Sequence, residues 1–258
     1  AAGPQQYTWA SLARDFRLCA RGSLSRAYFG GEGAGAAVAL QAALDATTSG
    51  SVDAPPGVVL MRPPAALVPD AQLASPGGGQ ESREAWRARL EAAVAALENG
   101  GHGAAEALAA QDGGMPWLLA GGEAACFAEP RPAAGRLAEL WRQAAAPGVL
   151  AAALRGHAAS QPLGSALGAL GESRQSGMAA DAYGVPQEFS CPVLLLAVRD
   201  DPACPLAAVE RLAGLLPGAE VAVAADFAEA RRSWGQLIDK FLRKAWMKEF
   251  LTKRVMPQ

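Results

Sequence analysis

Histidine is nearly missing from this chain: there are two in 258 residues, His102 and His157. Histidine-based metal sites and proton relays are almost excluded on that ground. Cysteine is also scarce, at four. Cys19, Cys126, Cys191 and Cys204 stand far apart and show no Cys-x-x-Cys spacing, which argues against structural zinc and against a disulfide framework. No metal and no cofactor is expected. No charge-free apolar run of about 18 residues occurs, so no membrane-spanning helix is expected. The net charge is only −2, which gives no reason to expect a nucleic-acid binder as a whole. The chain opens at Ala1 with no signal-like apolar segment. This suggests that a presequence has been removed, with an organelle (chloroplast or mitochondrion) as the expected location, or that strands lie upstream.

What is present points to a packed α/β protein. Hydrophobic residues make up 51% of the chain, and the length suits one domain with an insertion. Thr8 to Gly22 places Trp9, Leu12, Phe16 and Cys19 on one helical side. A short apolar strand (Ala27, Tyr28, Phe29) then runs into Gly30-Gly31-Glu32-Gly33-Ala34-Gly35, and an alanine-rich helix leaves from about Ala34 to Ala46. That is the strand–turn–helix setting of a Gly-x-Ser-x-Gly nucleophile elbow, with Gly33 where the serine would stand. Val58 to Met61 fits a buried parallel strand, stopped by Pro63-Pro64. From 65 to 188 the strand pattern gives way to helices: 82–97, closed by Asn99-Gly100-Gly101, and two more around Leu137–Trp141 and Val149–Leu154. Strands return at Pro192–Val198 and Glu220–Ala224, around a helix at Leu206–Leu216. An amphipathic helix is expected from Ser233 to Thr252. Strands separated by helices imply a parallel sheet with helices on both faces.

In order and spacing these blocks resemble the α/β-hydrolase fold, in its enol-lactonase and esterase-like members. The turn of Gly31, Gly33 and Gly35 resembles the elbow, and Val58 to Pro64 resembles the strand that follows it. Pro147 to Arg155 resembles a cap helix, and Pro192 to Pro205, with Asp201, resembles the strand and loop of the catalytic acid. The resemblance implies a partial α/β-hydrolase fold: a short, mostly parallel sheet with flanking helices. Its core would be 1–64 with 189–258, and 65–188 would be an inserted helical cap.

The departures shape the expected function. A hydrolase of this kind uses serine, acid and histidine as a unit. Gly33 has no side chain to attack with, and the segment from Ala224 to Trp234 holds no histidine. Only Asp201 stands in place, so Gly33 and Asp201 are expected to be vestigial positions. Strands before the elbow, with their oxyanion donor, are not seen, which would leave one sheet edge uncovered. The expectation is therefore a catalytically inactive scaffold subunit of a larger protein assembly. An active esterase or lactonase with a non-standard nucleophile stands as the alternative, as does a module binding a small apolar ligand.

Other signals admit two readings. Gly31-Glu32-Gly33 with Ala36, Asp53 and Arg62 also fits a loose dinucleotide loop, but Pro63-Pro64 crowd it and no third strand follows. His157 with Ser160 or Ser165 could form a rearranged triad. His102 and His157 otherwise read as solvated loop residues, and Cys204 as a small buried one. The last helix runs on past Phe241. Lys240, Arg243, Lys244, Lys248, Lys253 and Arg254 against Glu249 give it a net +5, so the rest of the −2 chain carries −7. It reads either as a solvated basic helix or as a docking element (Arg243, Lys244, Trp246, Lys248, Phe250) for other protein subunits, an anionic surface or RNA.

Overall fold

A computed structural model describes residues 7–19, 27–48, 54–68, 83–112, 146–160, 189, 191–201, 204–216 and 218–255. Four strands form one sheet: β1 (Phe29–Glu32), β2 (Val58–Met61), β3 (Val193–Val198) and β4 (Glu220–Ala224). They lie side by side in chain order, and every pairing is parallel. All four carboxyl ends therefore point to one edge.

Two cores follow from the alternation of side chains along a strand. Val58, Leu60, Val193, Leu195 and Ala197 face a large cluster containing α2 (Ala34–Thr48) and α5 (Leu206–Leu215). Val59, Leu194, Leu196 and Val198 face a smaller one built on α6 (Phe227–Val255), through Ala230, Trp234 and Phe241. β3 is buried along its whole length, which is why it reads as an unbroken apolar run. α1 (Trp9–Cys19) lies against α2, and its Phe16 meets Phe29 edge-on with ring centroids 5.0 Å apart. Thr8 opens α1, its hydroxyl accepting from the Ser11 N–H at 3.3 Å, an N-cap arrangement.

α3 (Arg83–Asp112) and α4 (Pro147–Ala159) pack on each other. Leu90, Val94, Leu97 and Leu154 join the large cluster. The exposed pair Arg155–Glu98 bridges them, and its hydrogen bond holds the Glu98 carboxyl below its ordinary pKa.

The helix that opens at Arg83 breaks at Gly101, as expected, where the backbone leaves the helical region with φ 65° and ψ −156°, and a further helical stretch runs on to Asp112. Pro147 opens α4, where its missing N–H costs nothing. The last helix starts at Phe227, six residues earlier than expected. Asp226 accepts from the Glu229 N–H at 2.7 Å, and the Glu229 carboxylate accepts from the Ala225 N–H at 2.6 Å. Asp226 thus caps the helix, and Glu229 reaches back one residue beyond the cap, a variant of the capping box. The helix expected around Leu137–Trp141 lies outside the described residues.

Candidate functional site

In an open parallel sheet, ligands bind beyond the carboxyl ends of the strands. At that edge lies a buried ionic cluster contributed by three strands in turn. Arg62, directly after β2, donates from Nε to Asp201 Oδ2 at 2.7 Å and from Nη2 to Asp201 Oδ1 at 3.2 Å. Its Nη1 donates to Glu32 Oε1, at the end of β1, at 3.0 Å. The guanidinium also lies 5.0 Å from the ring centroid of Phe227, just past β4, within cation–π range. The side chains of Arg62, Asp201 and Glu32 are 5%, 2% and 15% exposed, so Glu32 is the member that meets solvent most.

Backbone strain gathers at the same edge. Gly33 has φ 57°, Arg62 φ 49° and Asp200 φ 59°, each one or two residues past a strand. Left-handed conformations in residues other than glycine persist only where their surroundings enforce them. Hydrogen bonds from Gly33 N to Met61 O (2.9 Å) and from Arg62 N to Leu196 O (2.7 Å) tie these corners together.

The glycine turn has the elbow geometry. Gly33 takes the left-handed position and caps α2, its carbonyl accepting from Ala36 N at 2.9 Å and Ala37 N at 3.2 Å. Gly31 is required by space: a Cβ there would lie 2.2 Å from the Gly35 carbonyl carbon. Gly35 is not required for close packing, because a Cβ there meets nothing within 4 Å. The N–H groups of Ala34 and Gly35 open α2 at positions without an intrahelical acceptor. Beside the turn is a cavity of about 370 Å³, lined by Leu12, Phe16, Gly30, Ala34 and Val38 among others.

The remaining candidates fall elsewhere. Ser160 is buried, donates to Gly156 O at 2.9 Å and accepts from Trp9 N at 3.0 Å, so it anchors α1. Ser165 and Asp53 lie outside the described residues, as does the His157 side chain. His157 sits within α4 and not in a loop; His102 is half-buried and directly follows the break at Gly101, at the start of the helical stretch that runs to Asp112. Arg62, offered for a nucleotide phosphate, is instead turned onto two carboxylates. Burial, with the Asp201 charge beside it, pushes the Cys204 thiol well above its ordinary pKa, which disfavours the reactive thiolate. Among the described residues no three His, Cys, Asp or Glu side chains group to hold a metal. Arg243 pairs with Asp239 and Lys244 with Glu220, while Trp246, Lys248 and Phe250 are exposed.

Sequence reasoning found Asp201 and the glycine turn but did not join Arg62 and Glu32 to them. The available signal was a charged residue immediately behind each apolar strand: Arg62 after Val58–Met61, and Asp200-Asp201 close behind Val193–Val198.

Solved structures settle the fold. A thermophilic esterase from Thermogutta terrifontis, with malate bound, superposes with a TM-score of 0.57 at 24% identity, over 92% of this chain and 73% of its own. A hydrolase from Oleispira antarctica gives a TM-score of 0.61 at 15% identity, over 94% and 75%. An esterase from Exiguobacterium antarcticum gives 0.58 at 16%, over 94% and 76%. The chain has a partial α/β-hydrolase fold. No family model matches it, and a sequence comparison with curated proteins finds no match.

These likenesses overturn the expectation of an inactive scaffold subunit. The similar structures carrying this α/β-hydrolase fold are esterases and hydrolases, and nothing among the described residues indicates a scaffold role or inactivity. Gly33 removes one route of attack, that of an elbow serine; it does not remove hydrolysis as such.

Proposed function

We propose that the chain hydrolyses carboxylic esters or lactones, with water and not an elbow side chain as the attacking group. The observation that carries this reading is the Glu32–Arg62–Asp201 cluster at the carboxyl edge of the sheet, beside the glycine turn. Similar structures described as esterases and as an N-acyl homoserine lactone degrading enzyme support the substrate class.

The chemistry runs from the residues. Glu32 sits next to Gly33, whose missing side chain leaves room for a water at the turn. The Glu32 carboxylate takes the water's proton as the oxygen attacks the substrate carbonyl carbon. The oxyanion that forms is met by the N–H groups of Ala34 and Gly35 and by the positive end of α2. Collapse breaks the ester bond, and the proton held by Glu32 passes to the leaving alcohol. Arg62, fixed by two hydrogen bonds to Asp201, orients Glu32; it is too basic to take the proton itself. The cavity lined by Leu12, Phe16 and Val38 receives the acyl chain.

Purified protein is tested against short p-nitrophenyl esters and acyl lactones. Turnover above a heat-denatured control is expected, resistant to a fluorophosphonate. Glu32→Gln should lower kcat by about 10²–10⁴. Absence of turnover across both substrate series would refute the hydrolase reading; covalent labelling of a serine would remove the role given to Glu32.

A further inference from the structure

α6 changes character along its length. Ala230, Trp234, Phe241 and Ala245 are buried at helical spacing against the sheet. On the outward side, Arg232, Gln236, Asp239 and Arg243 are exposed, as expected for a solvated face. Past Ala245 that outward side becomes apolar: Trp246 and Met247 are each 56% exposed and Phe250 42%. The rings of Trp246 and Phe250 stack, with centroids 5.5 Å apart and 19° between planes. Exposed Lys240, Arg243, Lys244 and Lys248 surround them. The ion pairs of Arg243 with Asp239 and of Lys244 with Glu220 are solvent-exposed, so they are weak and can be exchanged for contacts to another anion.

We propose that residues 240–255 of α6 lie on an anionic lipid surface, with Trp246, Met247 and Phe250 at headgroup depth and the surrounding cations on the headgroup charges. Charge complementarity selects this occupant. The segment carries +5 in a chain of −2. A second copy docking face to face would set +5 against +5. Three apolar side chains also fall far short of the roughly 800 Å² per partner that a stable protein interface buries. A tryptophan and a phenylalanine flanked by lysine and arginine is the make-up of a helix that lies in the interface. No helix among the described residues is long and apolar enough to cross a membrane, so α6 rests on the surface. This inference does not depend on the hydrolase reading.

The test is co-sedimentation of the full chain with vesicles of phosphatidylcholine alone and of phosphatidylcholine with phosphatidylserine. Binding is expected only to the second kind, weakening as salt rises. Each cation near the surface raises partitioning by about fivefold, so Lys240→Glu with Arg243→Glu should lower it by more than about tenfold. Trp246→Ser with Phe250→Ser should also abolish most binding while leaving the melting temperature within a few degrees. Absence of binding at low salt, equal binding to neutral vesicles, or undiminished binding by Trp246→Ser/Phe250→Ser would overturn the proposal. So would displacement from vesicles by RNA at equal charge, or a dimer that the same double variant dissolves.

Discussion

Arg62→Met should be the most damaging single change at the carboxyl edge of the sheet. The guanidinium donates three hydrogen bonds, two to Asp201 and one to Glu32. Methionine preserves much of the stem but leaves two carboxylates facing each other with no cation between them, one of them almost wholly buried. Breaking a buried pair in this way costs about 3–5 kcal/mol, against a total of about 5–15 kcal/mol for a typical domain. Asp201→Asn should cost less, about 1–3 kcal/mol, because Arg62 retains Glu32. The double variant Arg62→Met/Asp201→Asn removes both charges of the pair, so its cost should fall below the sum of the single ones by about 1–3 kcal/mol. Urea unfolding of the four proteins at neutral pH measures every quantity. A loss under about 1 kcal/mol for Arg62→Met, or an additive cycle, would refute the reasoning.

Four further outcomes are expected. Gly31→Ala should abolish soluble expression or lower the melting temperature severely, because its Cβ would meet the Gly35 carbonyl at 2.2 Å; Gly35→Ala, with open space around it, should instead add about 0.5–1 kcal/mol in urea unfolding. Asp226→Ala should cost about 0.5–2 kcal/mol and fray the start of α6, seen as faster amide exchange at 227–230. Burial pushes the Cys191 thiol up to about 12; a raised folded value means stability present below the ordinary thiol pKa and lost as pH climbs towards 12, so alkaline unfolding should begin above about pH 9. At neutral pH a thiol reagent should modify exposed Cys19 and spare Cys191 and Cys204 until the protein unfolds, with peptide mass mapping as the readout.

The elements whose information is local were legible in the sequence. β3 announces itself because burial on both faces demands six apolar residues in succession. β4 was placed to the residue between Pro217-Gly218 and Ala225. The elbow was visible because Gly31 and Gly33 serve steric needs that no other residue meets as well. The early start of α6 was missed for a physical reason: Asp226 and Glu229 were met where a histidine-bearing loop was sought, and their capping pattern went unread. The break at Gly101 is legible in the run Asn99-Gly100-Gly101, because glycine enters the left-handed backbone region freely. The ionic cluster was the least legible part. Glu32, Arg62 and Asp201 are neighbours only because β1, β2 and β3 lie in that lateral order, and no local pattern reports which strands will be adjacent.

That lateral order also governs how the molecule must fold. Phe29 pairs with Val58, and Leu194 with Glu220, each across fewer than thirty residues. Val58 pairs with Val193 across more than 130. Closing the longer loop costs about 1.4 kcal/mol more in chain entropy, and long-range pairing is slow to form. The sheet should thus assemble as two early halves that zip together late along the β2–β3 seam. Arg62 and Asp201 stand on opposite sides of that seam, so their ion pair clasps the halves after they meet. Weakening the clasp should speed unfolding and leave the folding rate nearly unchanged.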